Sequence, residues 1–313
     1  MAGAEADKQH VTPRITTAWA VLNLATGAAR PDVAPQLYAI ADKARVDLKL
    51  VLCPPTSLAD TLEEAVKAAP ELLIVIGGDG TAALAAGLCG ASGPLLAPLP
   101  GGTMNMLANA LYGGRTWQGA LQDVLTDGKI AHISGGEVEG RRFYVAAILG
   151  EAALWAEVRE AIRQRRPRLA MLRTQRALTR MFAGRLHYSL DGGPAFKTEA
   201  LSLICPLTSR RSDRNDALEA AAVEPRDVLE SARLGIAALS GRWRDDDAVT
   251  TQLCASGEAW ARGSVSAVLD GEPVRLASKV SFKYQGDAFR ALVPKDFRFP
   301  AREPTRPRAF KAD

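Results

Sequence analysis

The chain has 313 residues, a length that accommodates about two domains, each with its own hydrophobic core. It is 47% hydrophobic and 24% charged, as globular proteins are, and no apolar run approaches the roughly 20 residues that span a bilayer. The polar segment Met1–Pro13 lacks the hydrophobic centre of a signal peptide. We therefore expect a cytoplasmic protein rather than an integral membrane or secreted one.

The four cysteines, Cys53, Cys89, Cys205 and Cys254, are far apart, and the chain contains three histidines. This spacing does not match paired zinc ligands or a disulfide framework. Because the cysteines lie mostly in apolar contexts, we predict buried free thiols.

The first half alternates strands and helices, and a parallel sheet with helices on both faces is the typical outcome of such a pattern. The predicted strands are Ala18–Leu24, Val46–Cys53, Leu72–Ile76 and Leu95–Leu99. The predicted helices are Pro31–Ala44, a segment from a Ser57/Asp60 capping box to about Ala69, an Ala/Leu segment from Thr81, and Met104–Leu111.

Two glycine turns follow successive strands of this predicted sheet. The first is Gly77-Gly78-Asp79-Gly80-Thr81, and the second is Pro100-Gly101-Gly102-Thr103-Met104-Asn105. A glycine turn that leads into a helix lets a phosphate approach the backbone and the unpaired N–H groups of the helix. Ligands of parallel sheets collect at the carboxyl ends of strands, so both turns are expected to face one crevice. An ordinary tight turn is the alternative for either turn alone.

Asp79 is an unexpected residue in a phosphate-attracting turn. A carboxylate there repels a phosphate unless it holds Mg²⁺ or accepts a proton from a reacting hydroxyl. Both roles are found in enzymes that transfer phosphoryl groups.

Beyond Gly128, short alternating segments separated by turn residues predict an antiparallel β-sandwich. They are Glu137–Val145, Arg185–Leu190, Leu201–Cys205, Val249–Ala255, Ser264–Leu269 and Lys279–Tyr284. Two helical insertions are predicted, Glu151–Met181 and Pro225–Leu239. The resulting division is an α/β domain (15–132), a β-rich domain (133–295) and a tail (296–313), flexible from Pro300, for which a return to the first domain is one option.

The positive charge is concentrated in one segment. The segment from Arg159 to Arg185 contains nine arginines and a single acid, a net charge of +8. The net charge of the remainder of the chain is therefore 4 − 8 = −4. Apolar residues such as Trp155 and Ile162 interleave with the arginines. This favours an anionic membrane surface as partner over nucleic acid, for which no recognition motif is present. A solvated helix face is the remaining interpretation.

The two glycine turns and the late Leu269-Asp270-Gly271-Glu272 segment resemble, in order and spacing, the soluble diacylglycerol kinase superfamily. This superfamily includes bacterial lipid kinases, sphingosine kinases and ceramide kinases, and its fold is related to that of NAD kinases. The resemblance extends from about Ala18 to Pro294. It implies an ATP-dependent lipid kinase with an α/β nucleotide domain, a β-rich domain and Mg-ATP as the phosphoryl donor.

The resemblance also implies which residues bind the nucleotide. The first turn, Gly77 to Thr81, and Thr103 of the second turn are expected to hold the ATP phosphates. Gly101, Gly102 and Asn105 of the second turn are further candidate cofactor-binding residues. The family's Asn-Pro-x-Ser-Gly turn corresponds to Asn23-Leu24-Ala25-Thr26-Gly27, and Thr56 lies where the family has a nucleotide-contacting threonine.

The resemblance assigns Glu272 as the general base for the lipid hydroxyl, and we include Asp270 and Asp79 among the catalytic candidates. An Asp-Gly pair between strands is also a common hairpin turn, so a structural role for Asp270 and Gly271 stays open. With Glu272 as base, Asp79 becomes an expected organiser of Mg²⁺ and phosphate.

Several positions depart from the family pattern. Met106-Leu107 replaces an Asp-Phe pair after Asn105, so an acid is missing, and Ala83-Leu84 replaces an Asn-Glu pair. These changes bear on metal and acceptor contacts and leave the acceptor open among diacylglycerol, ceramide and sphingoid lipids. An NAD kinase-like enzyme, or a nucleotide- or lipid-binding module without turnover, are the alternatives.

Overall fold

A computed structural model describes residues 13–26, 30–150, 186–210, 216–223, 246 and 248–300. The chain divides into two compact units, Met1–Ile133 with Ala288–Phe297, and Ser134–Asp287 with Arg298–Asp313. Three expectations fall outside the described residues: the arginine-rich segment with its predicted helix, the predicted helix Pro225–Leu239, and the tail beyond Pro300.

The first unit is built on a parallel sheet with the strand order β2-β1-β3-β4, and the end of β16 (Lys279–Pro294) runs parallel beside β4. Its strands are β1 (Thr17–Asn23), β2 (Asp47–Cys53), β3 (Leu72–Gly77) and β4 (Leu95–Pro100). Its helices are α1 (Val33–Ala44), α2 (Leu58–Lys67), α3 (Asp79–Cys89), α4 (Met106–Tyr112) and α5 (Trp117–Asp127).

Strand β3 is buried along its whole length, as its unbroken apolar sequence predicts for a central parallel strand. Helix α1 packs against α5, whereas α2 packs against α3. The chain passes from β1 to β2 on one side and then returns to β3 on the other, so the strand order reverses between β1 and β3. The predicted doubly wound sheet is confirmed, and this reversal is the position where such sheets bind ligands.

Two details of the first unit differ from expectation. Helix α3 begins at Asp79, two residues before the predicted start, so Asp79 lies in its first turn. The capping box predicted at Ser57 is wrong: the Ser57 hydroxyl donates to the Pro54 carbonyl at 3.3 Å, and the side chain makes no capping bond to α2. A short 3-10 helix, Pro55–Ser57, precedes α2 and directs the hydroxyl away from it.

The second unit is a sandwich of two antiparallel sheets. The further strands, of which β5 begins in the first unit, are β5 (Gly128–Val138), β6 (Arg141–Phe143), β7 (Ala146–Gly150), β8 (Leu186–Leu190), β9 (Phe196–Thr198), β10 (Ala200–Ile204), β11 (Leu218–Val223), β12 (Val249–Cys254), β13 (Ser256–Trp260), β14 (Ser266–Leu269) and β15 (Glu272–Arg275). One sheet has the order β12-β11-β10-β7-β14-β15, and in the other β13 lies between β16 and β8. Leu149 and Leu203 of the first sheet share a buried core with Tyr188 and Phe282 of the second. The predicted sandwich is confirmed.

The predicted strand Glu137–Val145 is wrong as a single element. Glu139 and Gly140 have φ angles of 48° and 75°, and this turn divides the segment into the hairpin of β5 and β6. Strand β11 was not predicted because its sequence, Leu-Glu-Ala-Ala-Ala-Val, is rich in helix-favouring residues. Its pairing on both sides, with β10 and β12, overrides that local preference.

All four cysteines are free and buried, as predicted. Burial raises the pKa of the Cys89 and Cys254 thiols to about 12. Within the described part of the chain, no helix is long and apolar enough to cross a bilayer.

Candidate functional site

The first glycine turn lies where β3 becomes α3. Gly77 ends the strand, and Gly78 stands before the helix in an extended conformation, with φ −86° and ψ −175°. A Cβ atom on Gly77 would lie 2.5 Å from the Thr81 Cβ, so the turn is too tight for a side chain there. The N-terminus of α3 thus opens directly at the carboxyl edge of the sheet.

The two glycine turns pack against each other through their backbones. The Gly101 N–H donates to the Gly77 carbonyl at 2.9 Å. A Cβ on Gly101 would lie 2.8 Å from the Gly77 nitrogen, and one on Gly102 would lie 2.5 Å from the Gly78 Cα. The packing of the two turns therefore leaves no room for a side chain at Gly77, Gly101 or Gly102. Gly78 differs, because a Cβ there would meet nothing closer than the Gly102 Cα at 3.8 Å.

Asn105 closes the second turn. Its backbone is left-handed, with φ 51°, and its side chain bonds Gly102 twice: Oδ1 accepts from the Gly102 N–H at 2.8 Å, and Nδ2 donates to the Gly102 carbonyl at 2.9 Å. An asparagine side chain mimics a backbone turn in this way. Thr103 is left exposed within the closed turn, as Gly80 is in the first turn.

Asn23, at the end of β1, joins the adjacent turn to β3. Its Nδ2 donates to the Thr81 hydroxyl at 2.9 Å, and its Oδ1 accepts from the Ala25 N–H at 3.0 Å. The Thr26 hydroxyl donates to the Asn23 carbonyl at 2.9 Å. Asn23 and Thr81 are both buried. The structure thus brings the predicted residues Asn23, Thr26 and Thr81 together, whereas Gly27 lies outside the described residues.

Asp79 lies between the two turns and is half-buried. Its Oδ1 accepts a hydrogen bond from the Leu107 N–H at the start of α4, at 3.3 Å. Burial raises the pKa of Asp79 above its ordinary value, against the opposing effect of the Leu107, Met106 and Asn105 backbone N–H groups. The carboxylate is therefore directed at the first turn of α4.

A polar cavity of about 460 Å³ lies beside the second turn. Gly101, Gly102 and Asn105 form one side, and residues at the starts of α1 and α5 form others, among them Asp32, Arg115 and Trp117. The Arg115 guanidinium bonds the Tyr112 carbonyl, Asp123 and Asp296, which fixes this wall. Sequence reasoning missed Arg115 and Trp117 because it did not predict α5. The signal was Thr116, whose hydroxyl caps α5 by accepting from the Gly119 N–H at 3.2 Å.

Thr56, the other predicted nucleotide contact of the first unit, is exposed on the 3-10 helix after β2. Strand β2 pairs with β1, so its carboxyl end lies on the sheet edge that carries Asn23.

Asp270 and Gly271 form the two-residue turn of the β14–β15 hairpin in the second unit. Their φ angles are 45° and 91°, and Leu269 pairs with Glu272 across the turn. The Asp270 carboxylate is buried and accepts three backbone N–H bonds, from Tyr144 at 2.6 Å, Val145 at 2.8 Å and Ala146 at 2.9 Å. Asp270 thus holds the segment before β7, and the exposed Glu272 begins β15.

Metal binding requires several donor side chains close together. Among the described residues, no three His, Cys, Asp or Glu side chains cluster closely enough to hold a metal ion. The sequence of the two glycine turns contains one acid, Asp79, and its Oδ1 is engaged with α4. These residues do not form a cage for Mg²⁺, which typically retains waters and is bound through substrate phosphates.

Known proteins resemble part of this sequence and the overall fold. Residues 17–138 match the family model of the diacylglycerol kinase catalytic domain. A diacylglycerol kinase from Bacillus anthracis str. Sterne has a similar fold, with a TM-score of 0.65 and 13% identity over 91% of this chain and 100% of that one. A candidate diacylglycerol kinase of the same strain gives a TM-score of 0.66 and 15% identity over 91% and 100% of the two chains.

No match was found among the curated proteins. The family model nevertheless covers both glycine turns, and the structural likeness extends over nine-tenths of the chain. Residues 17–138 are thus similar to the diacylglycerol kinase catalytic domain, and the chain shares its fold with the two Bacillus anthracis proteins.

Proposed function

We propose that this protein is an ATP-dependent lipid kinase that phosphorylates a hydroxyl group of a membrane lipid. The observation that carries the proposal is the backbone packing of the two glycine turns at the carboxyl ends of β3 and β4, beside the reversal of strand order. The family model covers both of these turns.

The turns suit the phosphates of ATP for a physical reason. The N-terminus of α3 offers unpaired N–H groups and a partial positive charge next to Gly78. Because Gly78 has no side chain, and a Cβ there would lie 3.8 Å from the Gly102 Cα without a clash, we expect a phosphate oxygen to approach this backbone closely. The bonds of Asn23 to Thr81 and of Asn105 to Gly102 hold these amides in place before a ligand arrives.

Mg²⁺ enters this proposal as part of the substrate Mg-ATP, where it neutralises phosphate charge. The residues of this chain act on the phosphates through backbone amides, and Thr103 and Thr26 supply hydroxyls at the rim of the turns. Asn105 keeps Thr103 exposed by closing the turn around it.

Glu272 is the proposed general base. A lipid hydroxyl is a weak nucleophile, and a carboxylate within hydrogen-bond reach accepts its proton as the bond to the γ-phosphorus forms and the bond to the β-phosphate oxygen breaks, releasing ADP. Glu272 is exposed at the start of β15, so its carboxylate is accessible to solvent. The three bonds of Asp270 fix the hairpin that presents it.

The membrane is the proposed partner because the acceptor resides there. The segment Arg159–Arg185, which lies outside the described residues, carries a charge of +8. Anionic headgroups attract such a segment by about 1 kcal/mol per basic residue near the surface. We expect the protein to co-sediment with anionic vesicles more than with neutral ones, and less at high salt. Sedimentation that is independent of both vesicle charge and salt would contradict this part of the proposal.

The experiment for the function is an acceptor panel. Purified protein is incubated with γ-labelled Mg-ATP and, in separate reactions, vesicles containing diacylglycerol, ceramide or sphingosine, and NAD. We expect label in one lipid product, which also identifies the acceptor. Label in NAD would replace the proposal with an NAD kinase activity, and ATP binding without any labelled product would indicate a binding module.

A further inference from the structure

The Asp79 carboxylate makes a contact that a phosphate turn does not require. Asp79 lies in the first turn of α3, yet its Oδ1 accepts from Leu107, 28 residues later, in the first turn of α4. The Met106 and Asn105 backbone N–H groups, which precede Leu107, also act to lower the pKa of this carboxylate. One side chain therefore connects the helix after the first glycine turn to the helix after the second.

Helix α4 has no side-chain cap from its own N-cap residue. That residue, Asn105, is left-handed, and its side chain bonds Gly102 through both of its polar atoms. The first N–H groups of a helix need acceptors from outside the helix. Asp79 supplies one across the two turns, where Asn105 is already committed to the turn itself.

We infer, on the basis of the proposed function, that Asp79 is a positioning residue that caps α4 and thereby fixes the two glycine turns relative to each other, rather than a ligand of Mg²⁺. Three connections then join the turns: the Asp79–Leu107 bond, the Gly101–Gly77 backbone bond, and the contact of Gly102 with Gly78. Without the Asp79–Leu107 bond, the second turn is still bonded to the first through Gly101, but the start of α4 is no longer bonded to α3.

A helix cap and a metal ligand require different properties of the Asp79 side chain. A helix cap requires an oxygen acceptor, and asparagine serves about as well as aspartate. A Mg²⁺ ligand requires the negative charge, because Mg²⁺ is bound through carboxylates and phosphates. Asp79→Asn keeps the acceptor and removes the charge, whereas Asp79→Ala removes both.

The experiment compares wild type, Asp79→Asn, Asp79→Ala and the control Asp42→Asn, which removes an exposed carboxylate from α1. Hydrogen–deuterium exchange is followed for a peptide spanning residues 102–112, which contains the Leu107 amide. ATP affinity is measured by calorimetry at a series of Mg²⁺ concentrations. Neither measurement requires a lipid or turnover.

We expect Asp79→Asn to match wild type and Asp42→Asn in exchange protection, and to stay within about threefold of them in ATP affinity and in the Mg²⁺ concentration required, because the cap is retained. Asp79→Ala should exchange faster in this peptide and bind ATP about fivefold more weakly at saturating Mg²⁺, the factor that corresponds to about 1 kcal/mol for a lost cap. The inference is overturned if Asp79→Asn requires much more Mg²⁺ than wild type, or if Asp79→Ala keeps wild-type protection.

These results are separable from the test of the function. If the acceptor panel yields no labelled lipid, the kinase proposal fails while the exchange and ATP-binding comparison still decides the role of Asp79. If Asp79→Ala does not fold, the Mg²⁺ series on Asp79→Asn decides alone, since this substitution changes neither the size of the side chain nor its acceptor.

Discussion

The Asn23 amide donates to the Thr81 hydroxyl at 2.9 Å, and both side chains are buried. This bond joins the end of β1 to the first turn of α3, across the point where the strand order reverses. Thr81, expected to contact phosphate directly, has its hydroxyl engaged with another residue of the site. The direct phosphate contact stays a prediction, and the structure shows that the hydroxyl also orders the turn.

Replacing Asn23 with Ala should lower the free energy of unfolding by about 1–3 kcal/mol, because the buried Thr81 oxygen and the Ala25 N–H lose their partner. Urea denaturation measures this effect. Asn109→Ala is the matched control, since it removes an exposed amide that donates to the Met104 carbonyl at 2.9 Å. An equal loss of unfolding free energy in the two variants would show that the buried bond stabilises the protein no more than the exposed one.

Gly102→Ala should separate the two glycine turns. The added Cβ would lie 2.5 Å from the Gly78 Cα, a backbone atom that has no rotamer through which to yield. We expect a loss of about 1–3 kcal/mol in unfolding free energy, typical of overpacking. Gly78→Ala, with its nearest contact at 3.8 Å, should leave the unfolding midpoint unchanged. A stable Gly102→Ala variant would mean that the turns do not depend on their mutual packing.

Asp270 and Glu272 should behave differently although they are two residues apart. Asp270→Asn places an amide nitrogen against one of three backbone donors, so we expect about 3 kcal/mol of destabilisation. Glu272→Gln changes an exposed side chain and should alter stability by less than about 0.5 kcal/mol. As the proposed base, it should lose about 10²- to 10⁴-fold in phosphotransfer rate. Thermal unfolding and initial rates measure the two effects, and full activity in Glu272→Gln would remove it from the mechanism.

The raised pKa of Asp79 predicts a dependence of stability on pH. Burial raises this pKa above its ordinary value of 3.8, so the folded protein holds the proton to a higher pH than the unfolded chain does. Stability is therefore lost as pH rises from about 3.8 through the folded pKa, and it stays reduced at neutral pH. Asp79→Asn should raise the unfolding temperature at pH 7 and not at pH 3. The absence of any increase at pH 7 would contradict this.

Periodicity predicted the first unit well because its signals are local. The unbroken apolar run of β3 and the glycines after it define a buried strand and a turn without reference to the rest of the chain. The packing of the first glycine turn against the second could not be predicted. Gly101 and Gly102 contact Gly77 and Gly78, which are more than 20 residues earlier, and this packing appears in neither turn alone.

The less local parts were the ones missed. Strand β11 has a helix-favouring sequence and is a strand because β10 and β12 pair with it. The bonds of the Asp270 carboxylate to amides at residues 144–146 join segments about 125 residues apart and could not be predicted, while the catalytic role of Asp270 stays a prediction. A sequence pattern identifies such segments and side chains, but their structure and hydrogen bonds depend on contacts with distant parts of the chain.

The most direct test of the central claim, that the glycine turns hold the phosphates of ATP, is the ATP affinity of Gly78→Ala. Among the described residues other than its chain neighbours, the nearest atom to the added methyl group is the Gly102 Cα at 3.8 Å, so we would attribute a loss of affinity to the space next to the turn. We expect a variant with the wild-type unfolding midpoint and an ATP affinity at least about tenfold weaker, a difference of about 1.4 kcal/mol. Wild-type ATP affinity in this variant would contradict the claim.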